Sequence, residues 1–80
     1  MQKQMVDLTS LPLHQKGQIE EITCDGNSRR RLLDLGLVKG TWITPVLVSP
    51  SKDPRAFSVR GTVIAIRKED ASKIKIGMLV

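Results

Sequence analysis

Only two side chains in this sequence of 80 residues titrate near neutral pH, His14 and Cys24, so acid–base or nucleophilic chemistry has to be built on one of them. A nucleophile needs a base beside it, and the base needs a third group to orient it. Neither residue stands in a motif that supplies such partners. They read as a surface imidazole and a small buried thiol, and no catalytic residue is expected. Metal chemistry finds equally little support. The spacings Cys-x-x-Cys, His-x-x-x-His and His-x-x-Glu are missing, so no metal-ligand set is expected. The neighbouring carboxylates Glu20-Glu21 and Glu69-Asp70 read as solvated charges, since adjacent residues of a strand face opposite ways. Glycine-rich phosphate loops are missing too, and no cofactor is expected.

The remaining chemistry is recognition. Arg29, Arg30 and Arg31 fall in the first turns of a short helical pattern, where the helix dipole disfavours each cation by about 0.3–1 kcal/mol, while Asp34 sits toward the opposite end. One account is local: Arg30 pairs with Asp34 at i,i+4. The other is functional: Arg29 and Arg30 form an electropositive knob for an acidic partner, with Arg60 and Arg67 extending it. A second feature is the run Trp42 to Val48, which is apolar on both faces where a half-buried strand should alternate. Trp42, Val46 and Val48 are therefore candidates for an outer apolar interface, unless the first residues or Met78-Leu79-Val80 cover them. A homodimer stays open on this reading.

A chain of this size holds one core, and core burial alone yields about 3–5 kcal/mol, so an efficient closed sheet is expected. Cys24 has no partner for a disulfide, and no apolar run approaches the ~20 residues that span a bilayer. The expectation is a cytoplasmic protein without membrane insertion or a targeting leader. Thirteen Lys and Arg against eight Asp and Glu give a formal charge of +5, which suits acidic partners. Nucleic acid is disfavoured because single-strand binders interleave cations with stacking aromatics, and here there are only Trp42 and Phe57.

These residues must be positioned by short elements. Residues 1–7 lack a sustained period and are expected to be a flexible lead-in; residues 8–76 form the domain and 77–80 a tail. Leu8, Leu11 and Leu13 anchor an irregular segment, Lys16-Gly17 reads as a turn, and Gln18–Thr23 reads as the first strand. Ser28 caps a helix to Leu35, where Leu32, Leu33 and Leu35 cluster at helical spacing. Gly36 suits a left-handed stop, with Leu37 folding back on Leu32. Strands follow at 41–49, 56–60, 62–67 and 74–76, joined by a turn at Gly61, a loop at 49–54 and a single helical turn within 68–73. Pro45 has to lie at an edge or a bulge.

The order of Arg30-Arg31-Leu32-Leu33-Asp34-Leu35-Gly36-Leu37-Val38-Lys39-Gly40-Thr41, then Ser49-Pro50, Asp53-Pro54, Val59-Arg60-Gly61, Ile64-Ala65-Ile66-Arg67 and Ala71 resembles the ferrous iron transport protein A (FeoA) family over Leu8 to Ile76. Lys52 stands where that family often has Gly, and Leu13-His14 where Pro-Gly is common. The resemblance implies a mainly β fold, a small SH3-like five-stranded barrel with one short α-helix. It also implies no enzymatic activity and a cytoplasmic accessory or regulatory role beside the FeoB-type Fe(II) permease. Its phasing turns Ile43, Pro45 and Leu47 inward. The same domain resembles the C-terminal module of metal-dependent repressors. Two alternatives therefore accompany the first reading: a small basic barrel binding nucleic acid, and a stand-alone transition-metal-binding module.

Overall fold

A computed structural model describes residues 3–79. Six strands are present: β1 (Lys3–Asp7), β2 (Gly17–Ile22), β3 (Trp42–Val48), β4 (Arg55–Val59), β5 (Thr62–Ile66) and β6 (Ile74–Leu79). Between them lie a 3₁₀ turn at Leu8–Ser10, the helix α1 (Gly26–Asp34) and the one-turn helix α2 (Lys68–Ala71). All strand pairs are antiparallel, in the order β1-β6-β2-β3-β4-β5.

The sheet divides at β3. Trp42 and Ile43 pair with Gln18 and Gly17 of β2, whereas Thr44 to Val48 pair with β4. One strand thus forms the corner between two sheets, and the apolar faces of both close on a single core. Ile19, Ile74 and Ile76 come from one side; Ile43, Phe57, Val59 and Ile66 come from the other. Leu8, Leu11, Leu32 and Leu37, from the connecting segments, seal the ends. Each fully buried aliphatic or Phe side chain contributes about 1.5–3 kcal/mol of transfer free energy, which is what holds so small a sheet closed.

Pro45 explains how the corner is built. Its carbonyl accepts the amide of His14 at 2.8 Å. In a strand the N–H and C=O of one residue point the same way, so the missing proline donor lies on that side, where pairing to β2 has ended, and no ladder bond to β4 is lost. The register to β4 then slips between Pro45 and Leu47. This bulge at Val46 reverses the strand's phase: Ile43 and Pro45 are buried as expected, but Leu47 is 66% exposed.

Five strands were expected and six are found. Lys3–Asp7, read in the sequence as lead-in, pair with Leu79–Lys75, and Gly77 to Leu79, read as tail, prolong β6. Met1, Gln2 and Val80 lie outside the described residues. In Lys-Gln-Met-Val-Asp only Val6 packs against the core and Met5 is exposed, so backbone pairing rather than hydrophobic pattern makes this strand. The Lys16-Gly17 turn is displaced as well. Pro12 to Gln15 form the turn instead, with Gln15 N–H on Pro12 C=O and His14 left-handed at φ 68°, while Gly17 opens β2.

Candidate functional site

Helix α1 carries the cationic residues. Asp25, extended and making no side-chain cap, precedes it, and Ser28 lies inside the first turn rather than capping it. The C-terminal stop is the expected one. Gly36, at φ 90°, donates to Leu33 C=O at 2.9 Å, and Leu37 donates to Leu32 C=O at 3.0 Å, the two bonds of a Schellman motif. Leu32 and Leu37 are both buried and anchor the helix end to the core. Leu33 and Leu35, grouped with Leu32 on sequence, are 41% and 42% exposed instead.

The three arginines have separate tasks. Arg29 donates to the carbonyl of Ile22 at 2.9 Å and ties the helix to the end of β2. Arg31 donates to Asp70 of α2 at 2.7 Å. Arg30 is exposed, and its side chain makes no hydrogen bond or ion pair among the described residues; the Arg30–Asp34 pair is not formed. Leu33 lies three and four residues beyond Arg30 and Arg29, so all three share one helix face. The helix therefore presents the exposed Leu33 beside the Arg30 guanidinium. Sequence reasoning missed Leu33 because it groups with Leu32 and Leu35 as one apolar cluster at helical spacing.

Arg60 and Arg67 do not extend this face as one knob. They are exposed at opposite ends of β5, about 17 Å apart by strand length. Trp42 and Val48 likewise occupy opposite ends of β3, about 20 Å apart, with the half-buried Val46 in the bulge between. Trp42 is 44% exposed, and the Lys16 ammonium sits 4.8 Å from its ring centroid. The outer apolar surface centres instead on Leu47, which pairs with Ala56, itself paired with Ala65; Val63, 61% exposed, lies beside them.

Arg55 is a further residue that sequence reasoning overlooked. From β4 its guanidinium donates to Thr9 C=O at 3.1 Å and Leu11 C=O at 3.0 Å, and it lies over the Phe57 ring. It thereby holds the 8–11 segment over the end of the barrel. Beside it a cleft of about 760 Å³ has apolar walls at Leu13, Val48 and Ile66 and cations at Lys52 and Lys68. Its one carboxylate, Asp53, accepts the Lys68 amide at 2.8 Å.

Among the described residues no three His, Cys, Asp or Glu side chains gather where they could hold a metal ion. His14 is exposed in its turn and Cys24 is 4% exposed. Glu20 pairs with Lys3, and Asp70 with Arg31. One carboxyl departs from its ordinary value: the Thr9 hydroxyl, donating to Asp7, holds that group lower, against the opposing effect of partial burial. No helix among the described residues is long and apolar enough to cross a membrane.

Two antiparallel sheets sharing a corner strand around one core make this a small SH3-like β domain. The same architecture is found in FeoA of Stenotrophomonas maltophilia, solved with zinc and described as a prokaryotic SH3 domain protein (TM-score 0.78, 29% identity, 89% of this chain and 88% of that one). A role as a bacterial ferrous iron transport activating factor has been put forward for that protein. The chain belongs to the FeoA domain family, linked to ferrous iron transport: the family model matches residues 6–77. A FeoA-like protein from Clostridium acetobutylicum superposes with a TM-score of 0.86 at 30% identity, over 100% of this chain and 92% of that one. The Fe(2+) transport protein A/Fe(2+) transporter FeoB fusion protein of Porphyromonas gingivalis is 32% identical over 69 residues, 84% of this chain, which spans only 8% of the fusion's length.

Proposed function

We propose that this chain is a non-enzymatic, cytoplasmic accessory of bacterial ferrous iron uptake that acts by docking on the cytosolic part of a FeoB-type transporter. The observation that carries this reading is the face Arg29–Arg30–Leu33: an exposed cation without a partner among the described residues and an exposed leucine on one well-anchored helix. Arg30 gains nothing from the helix dipole and makes no side-chain hydrogen bond or ion pair of its own among the described residues, which favours an acidic partner surface for it. The relative that joins FeoA and FeoB in one polypeptide supports the choice of partner, because fusion raises the effective concentration of two modules that work together.

Calorimetric titration of the chain with a FeoB cytosolic domain tests it. Arg30→Glu with Leu33→Ala is expected to weaken binding by about tenfold to a hundredfold at physiological salt, the range for losing two central anchors. Arg30 is the cleaner of the two arginines, since Arg29 also holds Ile22. Unchanged affinity in a variant with native melting behaviour would defeat the reading.

A further inference from the structure

Strand β5 (Thr62–Ile66) closes the strand order and, among the described residues, is paired on one side only, by β4. Native edge strands are usually blunted by a lysine, a proline or a bulge, because their free amides and carbonyls template further pairing. The other edge, β1, follows the rule, with Lys3 and Asp7 at its ends and an ion pair from Lys3 to Glu20. Strand β5 does not: Thr-Val-Ile-Ala-Ile holds no charge and no proline, and its register to β4 is unbroken.

The open hydrogen-bonding positions follow from the turn. Arg60 and Gly61 have φ of 51° and 82°, the two-residue loop of a type I′ hairpin, which makes Val59 and Thr62 a mutually bonded pair. Bonded pairs alternate along the ladder, so Ile64 and Ile66 also face β4, while the N–H and C=O of Val63 and Ala65 point to the free edge. The side chains of Val63 and Ala65 stand on the outer face with Leu47, Ala56 and Ser58, an area without a charged residue. Together they offer an added strand four main-chain bonds and an apolar seat.

Charge at the two ends of β5 decides what that strand is. Arg60 stands exposed at one end, Arg67 and Lys68 at the other. The carboxylates near the second end are largely engaged, Asp53 by the Lys68 amide and Asp70 by Arg31, which leaves Glu69. A second copy is disfavoured: antiparallel self-pairing sets Arg60 against Arg67 and Lys68 of the other chain, parallel pairing sets Arg60 against Arg60, and each copy carries a formal +5. We propose that β5 is a docking edge for an extended segment of another protein, apolar and β-branched at its centre with acidic residues at both ends, added as a seventh strand on Val63 and Ala65. This surface shares no residue with the Arg29–Arg30–Leu33 face.

The test uses the full chain and two end-blocked peptides, Glu-Asp-Val-Thr-Val-Thr-Val-Asp-Glu and the same centre with Lys at its four end positions. The acidic peptide is expected to saturate in an NMR titration and to slow amide exchange of Val63 and Ala65 at least about tenfold. The lysine peptide should bind about tenfold more weakly or not at all, and Arg60→Glu with Arg67→Glu should reverse the preference. Ala65→Pro removes an outward donor without touching the β4 ladder and should abolish binding of either peptide. If that variant does not fold, the charge reversal, at two exposed positions, still decides. The proposal is overturned by equal binding of the two peptides, by shifts confined to α1, by no binding, or by Val63 and Ala65 amides already protected in the free chain through a concentration-dependent dimer.

Discussion

Arg31 and Asp70, separated by 39 positions in sequence, meet at 2.7 Å and join α1 to α2 across one end of the barrel. The two partners are unequal: the Asp70 side chain is 10% exposed and that of Arg31 56%. The arginine reaches in from solvent to a carboxylate that the fold has already withdrawn from it.

That asymmetry predicts unequal costs. Arg31→Ala strands a buried carboxylate and should destabilise the chain by about 1–3 kcal/mol, whereas Asp70→Ala returns an exposed guanidinium to water and should cost about 1 kcal/mol or less. Urea denaturation of both variants and the double variant measures the difference. Equal single costs would mean that the pair behaves as an ordinary surface contact.

Glycines 17 and 77 separate packing from mere crowding. A Cβ on Gly17 would overlap Cγ2 of the fully buried Ile76 and press on Leu11, so Gly17→Ala should cost about 1–3 kcal/mol through overpacking. A Cβ on Gly77 would meet the flexible ends of Lys3 and Glu20, which can swing aside. Gly77→Ala is therefore expected to stay within about 0.5 kcal/mol of the parent by thermal melting. Similar losses at both positions would contradict this account of the core.

Much of this fold was legible where one local rule decides the outcome. The Leu32–Gly36–Leu37 stop is a backbone motif with its own apolar contact, and Gly61 between two β runs reads as a tight turn or bulge; the stop is present, and the turn is a tight one that also takes Arg60 from the expected strand. The failures are tertiary. Leu47 was misplaced because the bulge at Val46, set by how β3 meets β4, shifts the alternation by one residue. Strand β1 has almost no hydrophobic period and exists because β6 offers it a backbone partner. The candidate sites follow the same division. Arg29 and Arg30 were marked from helix electrostatics, but Leu33 joins them only once Leu32 is seen to be the one buried member of the Leu32, Leu33 and Leu35 cluster, and Arg60 and Arg67 separate only when β5 is laid between them.

Lys52 tests the same logic from the opposite side. It occupies φ 68° in the loop after β3, where the resemblance places glycine, and its amide donates to Ser49 C=O at 2.8 Å. The left-handed conformation costs an L-residue roughly 1–2 kcal/mol, partly offset in a glycine variant by the greater freedom of the unfolded chain. Lys52→Gly should thus raise stability by about 0.5 kcal/mol. Gly36→Ala, at φ 90° with open space around it, should lower stability by about 1 kcal/mol or more through backbone strain alone. Denaturation midpoints moving in the same direction for the two variants would refute this.

Asp7 gives the chain a defined acid sensitivity. Its carboxylate caps the 3₁₀ turn, accepting the Thr9 hydroxyl, the Ser10 amide at 3.2 Å and the Ser10 hydroxyl at 3.4 Å. The Thr9 hydroxyl is the largest influence and lowers the pKa; partial burial opposes it, and the Thr9 and Ser10 amides and the Ser10 hydroxyl add to the lowering. Because the folded value lies below the unfolded one, about 3.9, the unfolded chain takes up the proton first as acid is added. Stability from Asp7 is therefore fully present above that value and is lost as pH falls through the lower folded pKa. Asp7→Asn keeps a capping oxygen but removes the charge, and should cost about 0.5–1 kcal/mol at pH 7. Urea titrations of the parent and Asp7→Asn between pH 7 and pH 2.5 should show their stability difference shrinking below about pH 4, the other carboxylates being common to both. A difference that stays constant over the whole range would mean that charge at this cap does not stabilise the fold.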